Sequence, residues 1–194
     1  MNKRRFLMAC TASVATAPGL VQAQQAPQGL KGPALLTVSG LIGKGNRGAL
    51  DPALDQLMVK QKVQFDKAHA FDFAALSALP ATTIKPTLEY DQRQHTLSGP
   101  LIAQVMQAAG APQDARLLMR AIDGYTVTLT LAQARAHRYI IATQLDGHAM
   151  PLGGLGPLWA VYEPDAYPEL KAKPLNERFA LCPWGLYHIE VQKA

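Results

Sequence analysis

Between Tyr125 and Thr130 the chain alternates without a break, with Tyr125, Val127 and Leu129 set against Thr126, Thr128 and Thr130. A period of two places apolar side chains on one face of a strand and leaves the other face to water, so the segment reads as a half-buried strand. Other runs share this character. Leu35–Ile42 is rich in β-formers and breaks at Gly43, Tyr139–Thr143 leads to the hairpin dipeptide Asp146-Gly147, and Leu158–Tyr162 and Leu186–Val191 supply two more.

Short helices are expected between the strands. Asp51-Pro52 has the chemistry of a helix start, with Leu54, Leu57 and Met58 on one face. Phe71–Pro80 repeats the pattern, with Asp72 as cap and Pro80 as stop. Ser98-Gly99-Pro100 is read as opening a helix whose apolar stripe is Leu101, Ile102, Val105, Met106 and Ala109, ended by Gly110. A further short helix, Leu131–Ala136, is capped by Thr130. Glu163–Pro183, punctuated by prolines, reads as an ordered surface loop. No repeat or low-complexity tract interrupts the series, so the expected fold class is α+β, one domain of mixed β-sheets and short helices.

The N-terminus bears on location. Lys3, Arg4 and Arg5 precede an apolar run of small residues that closes on Val21-Gln22-Ala23, the form of a signal peptide over residues 1–23 cleaved after Ala23. Thr11, Ser13, Thr16, Pro18 and Gly19 interrupt the run too often for a spanning helix, so no stable membrane insertion is expected. The basic pair before Phe6-Leu7 resembles the twin-arginine class of signals. Leu7-Met8-Ala9-Cys10 resembles a lipoprotein box, but comes too early to leave an apolar stretch of its own. Residues 24–31 read as a flexible tether and 32–194 as the domain, periplasmic or secreted. Of the 19 basic residues the signal holds three, leaving 16 against 14 acidic ones. A nearly neutral mature chain with no basic stretch interleaved with aromatics excludes nucleic acid as an expected partner. Cys182 is then the single cysteine, with no mate for an intramolecular disulfide.

Familiar catalytic signatures are missing. The glycine-rich Gly43–Gly48 lacks the Lys-Ser/Thr of a P-loop, there is no Gly-x-Ser-x-Gly elbow, and none of His69, His95, His137, His148 and His188 falls at zinc-site spacing. No metal-ligand set is therefore expected.

The order of elements and seven short motifs resemble the molybdopterin-binding domain of the sulfite oxidase family. These are Val38-Ser39-Gly40; Phe71-Asp72-Phe73 with Leu76, Leu79-Pro80 and Ile84, leading to a strand with Thr87; Leu97–Leu101 with Ala109-Gly110-Ala111; Ala121–Tyr125; Leu145-Asp146-Gly147 with Met150-Pro151-Leu152; Gly156–Trp159 with Pro164; and Cys182–Leu186 with Ile189. The resemblance runs from about Leu36 to Val191. It implies a molybdopterin cofactor and redox chemistry, with the Tyr125 hydroxyl as the catalytic candidate beside a metal-bound oxygen. Asp123, Gly124, Trp159 and Trp184 are the candidate cofactor-binding residues. Read from the residues alone, Asp123-Gly124 is a turn, Tyr125 packs with its hydroxyl at the surface, and the two tryptophans are either core or an aromatic pocket wall.

Three departures bear on the chemistry. The family ligates molybdenum with a cysteine thiolate from the loop matching Leu88–His95, because soft anionic sulfur suits the metal. That interval holds no cysteine here. Trp159 stands where the family has an arginine and Pro183 where it has a lysine, which removes two cations that assist anion binding. Glu89, Asp91, Arg93 and His95 form a dense polar cluster on the altered loop, either an acid/base set or a solvated loop, and Cys182 is read as a buried small hydrophobe rather than a replacement ligand. Two readings follow: an oxidoreductase-like domain that keeps molybdopterin without sulfite oxidase activity, or a cofactor-free domain using the pocket for a small-molecule ligand or for a periplasmic redox or accessory protein.

Overall fold

The computed structural model describes residues 29–194; the expected signal segment, residues 1–23, and residues 24–28 of the expected tether lie outside the described residues. Along the described chain run β1 (Leu36–Gly40), α1 (Gln56–Lys60), β2 (Ala68–Phe71), α2 (Phe73–Ser77), β3 (Ala81–Ile84), β4 (Leu97–Pro100), α3 (Ile102–Ala108), β5 (Arg116–Ala121), β6 (Thr126–Thr130), α4 (Leu131–Ala136), β7 (Ile140–Ala142), β8 (Gln144–Leu145), β9 (His148–Ala149), β10 (Trp159–Val161), α5 (Pro168–Lys171) and β11 (Leu186–Gln192). Mixed sheets joined by short helices make this an α+β fold.

The main sheet has the order β2-β1-β11-β5-β6. β1 and β11 run parallel, Val38 beside Ile189, and the other pairs are antiparallel. The alternation in β6 does what its period dictates: Val127 and Leu129 pair with Met119 and Leu117 and are buried, while Thr126 and Thr128 face water. A second sheet runs β3-β4-β8-β9, and β7 pairs with β10 while passing close beside β4. Gly99 permits that approach, because a Cβ there would lie 1.9 Å from the Ile141 carbonyl oxygen. α3 packs beside α4, and its Ile102, Val105 and Met106 are wholly buried. Each stabilises the fold by about 1.5–3 kcal/mol.

Local signals hold at several elements. Asp72 caps α2 by accepting from the Ala75 amide at 2.7 Å, and its other oxygen takes the amides of Lys31 and Gly32 at 2.6 and 2.8 Å. These backbone donors, Ala75 first, hold its carboxyl below the usual range. The backbone is thus fixed from Lys31 onward. Thr130 and Gln133 close a reciprocal capping box at α4. Asp146 and Gly147, both at positive φ, turn β8 into β9.

Elsewhere the structure corrects the expectations. Ser98-Gly99-Pro100 belongs to β4 rather than to a helix, because pairing with β3 and β8 overrides the helix-start signal, and α3 begins only at Ile102. Asp51 caps a turn at Ala53 and Leu54 instead of a helix; α1 starts at Gln56, with Met58 buried but Leu54 and Leu57 exposed. Thr87 lies in an isolated bridge with Gln94, and the threonine-bearing strand is β3, with Thr82 and Thr83. Tyr125 stands just ahead of β6 and is exposed. Among the described residues no helix is long and apolar enough to cross a membrane.

Candidate functional site

Three pieces of chain enclose a cavity of about 270 Å³. The β3–β4 loop contributes Glu89 and Tyr90, the β5–β6 turn contributes Asp123 and Tyr125, and the return of the long excursion between β10 and β11 contributes Phe179, Cys182 and Trp184.

The excursion has little regular structure, so its carbonyls need other donors. Aromatic side chains supply them. The hydroxyls of Tyr162 and Tyr125 donate to the carbonyls of Arg178 and Ala180, both at 2.6 Å, that of Tyr139 donates to Leu181 at 3.4 Å, and the Trp159 indole donates to Cys182 at 2.9 Å. Arg178 adds ties to Asp165 at 3.0 Å and to the carbonyls of Lys171 and Lys173. The cavity wall is thereby held in place by rings that are themselves packed against one another: Tyr139 against Tyr162, and Trp159 against Phe179.

The opposite wall is anchored differently. Leu88 is buried, and the loop folds back through the Leu88 amide to the Arg93 carbonyl and the bridge between Thr87 and Gln94. Glu163 and Asp165, at the start of the excursion, accept the amides of Lys85 and Thr87. His95 then joins the loop to the β8–β9 hairpin, with Nδ1 2.7 Å from Asp146 and Nε2 2.8 Å from Asp91. Both partners are acceptors, Asp146 the stronger influence, so the imidazolium is favoured and the His95 pKa lies above its ordinary value.

The lining of the cavity combines two carboxylates with aromatic and apolar side chains. Burial and then Glu89 raise the Tyr90 hydroxyl. Burial pushes the Cys182 thiol up to about 12, with Glu89 adding to the effect. Cys182 is therefore a protonated, buried thiol, as a small hydrophobe is expected to be.

The sequence candidates divide between wall and support. Asp123, Tyr125 and Trp184 line the cavity. Gly124, at φ +92°, makes the turn in which Asp123 accepts the Tyr125 amide. Trp159 is wholly buried and supports the wall through the Cys182 carbonyl rather than facing the opening. The Tyr125 hydroxyl gives its proton to the Ala180 carbonyl, so it has none to donate into the cavity. The sequence reading had no access to the positioning roles of Tyr139 and Tyr162; the available signal was that an irregular, proline-rich stretch needs side-chain donors for its carbonyls.

No protein-family model matches the chain, and no curated protein matches it. Solved structures do. The fold resembles a sulfane dehydrogenase. The chain superposes on the sulfane dehydrogenase SoxCD from Paracoccus pantotrophus with a TM-score of 0.54 at 13% identity, over 82% of its own length and 38% of that protein's. It thus spans about two fifths of that relative, and at this identity the likeness is one of fold.

Molybdopterin is the group implied by the resemblance to sulfite oxidases. Its phosphate is anionic and needs cationic or amide donors. The charged side chains on the wall, Glu89 and Asp123, are acidic, and Arg178 is turned into the excursion by Asp165. Cys182, protonated and buried, offers no thiolate. With Asn176 as its single side-chain amide and no cation on the wall, the cavity does not fit that group. Among the described residues, no three His, Cys, Asp or Glu side chains are grouped to hold a metal ion. A second groove of about 390 Å³ near Leu54, Leu57 and Leu152 is more apolar and carries none of the candidate residues.

Proposed function

We propose that this chain is an exported domain of sulfite-oxidase-like fold whose cavity binds a small molecule in place of molybdopterin, and that it does not oxidise sulfite. The observation that carries the reading is the cavity wall itself: carboxylates and aromatic faces stand where an anionic cofactor and a doubly charged oxyanion substrate need positive charge. A charge-assisted contact to an anion contributes about 1.5–3 kcal/mol, so each such contact missing from the wall corresponds to roughly one to two powers of ten in binding. The fold likeness to a sulfane dehydrogenase supports the competing reading, a domain that retains the pterin. Expression with added molybdenum separates the two, by measuring bound pterin and sulfite-dependent reduction of an artificial acceptor. The expected result is neither pterin nor turnover; turnover of about 1 s⁻¹ or more overturns the reading. Export rests on the basic start of the chain, and Arg4→Lys with Arg5→Lys is expected to trap the precursor if the signal is of the twin-arginine class. Normal secretion of that variant contradicts folded export.

A further inference from the structure

We infer that the cavity between Tyr90, Tyr125 and Trp184 takes an organic ammonium cation, an inference that rests on the small-molecule reading above. Tyr90, Tyr125 and Trp184 are 59%, 49% and 39% exposed, high values for large aromatics gathered at one opening. The faces of such rings carry negative charge density and attract cations, most strongly weakly hydrated ones. Glu89, from the β3–β4 loop, and Asp123, from the β5–β6 turn, bring carboxylates to the same cavity. The proton of the Tyr125 hydroxyl is already given to Ala180, so toward a ligand that residue has only its ring and an acceptor oxygen, both suited to a cation. Phe179 and the protonated Cys182 form an apolar inner surface, suited to alkyl or aryl carbons rather than to a hydrated inorganic ion. A cavity of about 270 Å³ sits at the small end of ordinary ligand sites. An alkylated ammonium satisfies all of these together: its carbon shell covers the rings and the inner surface, and its charge lies near the carboxylates.

The test uses three probes of similar shape and different charge on the full mature chain: phenyltrimethylammonium, benzyl alcohol and benzenesulfonate, at constant ionic strength. Calorimetry reads affinity, and the indole resonance of Trp184, assigned with Trp184→Phe, reads location. The cation is expected to bind at least tenfold more tightly than the alcohol and to shift the Trp184 resonance, while the sulfonate does neither. Glu89→Gln combined with Asp123→Asn is expected to weaken the cation by about tenfold, and Trp184→Leu by about two- to fivefold. The three-probe comparison needs no variant, so a variant that fails to fold leaves the test intact. Binding of the alcohol or sulfonate at Trp184 as tightly as the cation overturns the inference and leaves the small-molecule reading standing. A Trp184 resonance unmoved by all three probes overturns the inference and removes its support for that reading.

Discussion

His95, on the β3–β4 loop, and His188, on the covered face of the main sheet, have their pKa values moved in opposite directions by opposite surroundings. His95 is partly exposed and lies between Asp91 and Asp146, with Arg93 on the same loop, so it is held as a cation. His188 is wholly buried on β11, accepts or donates only at Nε2, to Ser39 at 2.9 Å, and has no hydrogen-bond partner at Nδ1. Arg120 from β5 and Arg47 from the segment over the sheet are the charges it feels, and the rings of Phe65 and Tyr187 lie beside it. Arg47 in turn is held by Asp55 and Thr37, and Arg120 by Glu190. Burial first, then these cations, bring His188 down to about 3. The loop keeps the His95 ion pairs near water, whereas the charges around His188 are turned in over the main sheet.

The largest effect expected from this contrast is acid sensitivity at His188. In the folded state it stays neutral to about pH 3, whereas unfolded it takes up a proton near 6.5, so its contribution is complete above that value and falls with pH below it. Between pH 7 and 4.5 the loss is about 2–3 kcal/mol. Urea unfolding of the wild type and His188→Asn across that range checks it: the variant is expected to be less stable at neutral pH but flatter towards acid. Parallel curves for the two contradict it.

An intermediate effect is expected where the aromatic donors hold the excursion. Tyr162→Phe leaves the Arg178 carbonyl without its donor and is expected to cost about 1 kcal/mol, with faster proteolytic nicking between β10 and β11. Tyr125→Phe, at an exposed position, is expected to cost less. Equal loss from both substitutions breaks the distinction between buried support and exposed rim.

The smallest effect belongs to His95. Its pKa is raised in the fold, so its contribution is complete below 6.5 and is lost as pH rises through the higher folded value, the reverse of His188. His95→Gln is expected to cost less than about 1 kcal/mol at neutral pH, because water screens the pair. An NMR titration reads both histidines together: His95 with a midpoint above 6.5, and His188 without a titration step down to pH 4.5. A normal midpoint at both removes the comparison.

The same contrast explains what the sequence made legible. Period and caps identified β1, β6, α4 and the β8–β9 hairpin, because each is decided by residues adjacent in the chain. β2, β3, β4 and β5 escaped, since none of them carries a clean two-residue alternation bounded by turn residues; at β4 the Gly99-Pro100 signal is overruled by pairing with β3 and β8 and by the close passage of β7. At the site, Asp123, Tyr125 and Trp184 were legible through the resemblance, and Cys182 as a buried hydrophobe through its residue type. The burial of Trp159 agrees with the core alternative given by its residue type, whereas the engagement of the Tyr125 hydroxyl by Ala180 was not legible, because it depends on where residues 178–182 return and no local pattern in that stretch encodes it.

The claim at the centre is that the cavity holds a small molecule and not molybdopterin. Protein purified from its own compartment tests it directly by native mass spectrometry, with pterin and molybdenum assayed on the same sample. The account predicts a releasable small ligand that carries positive charge, and no pterin. Stoichiometric pterin and molybdenum retained by the folded chain would contradict it.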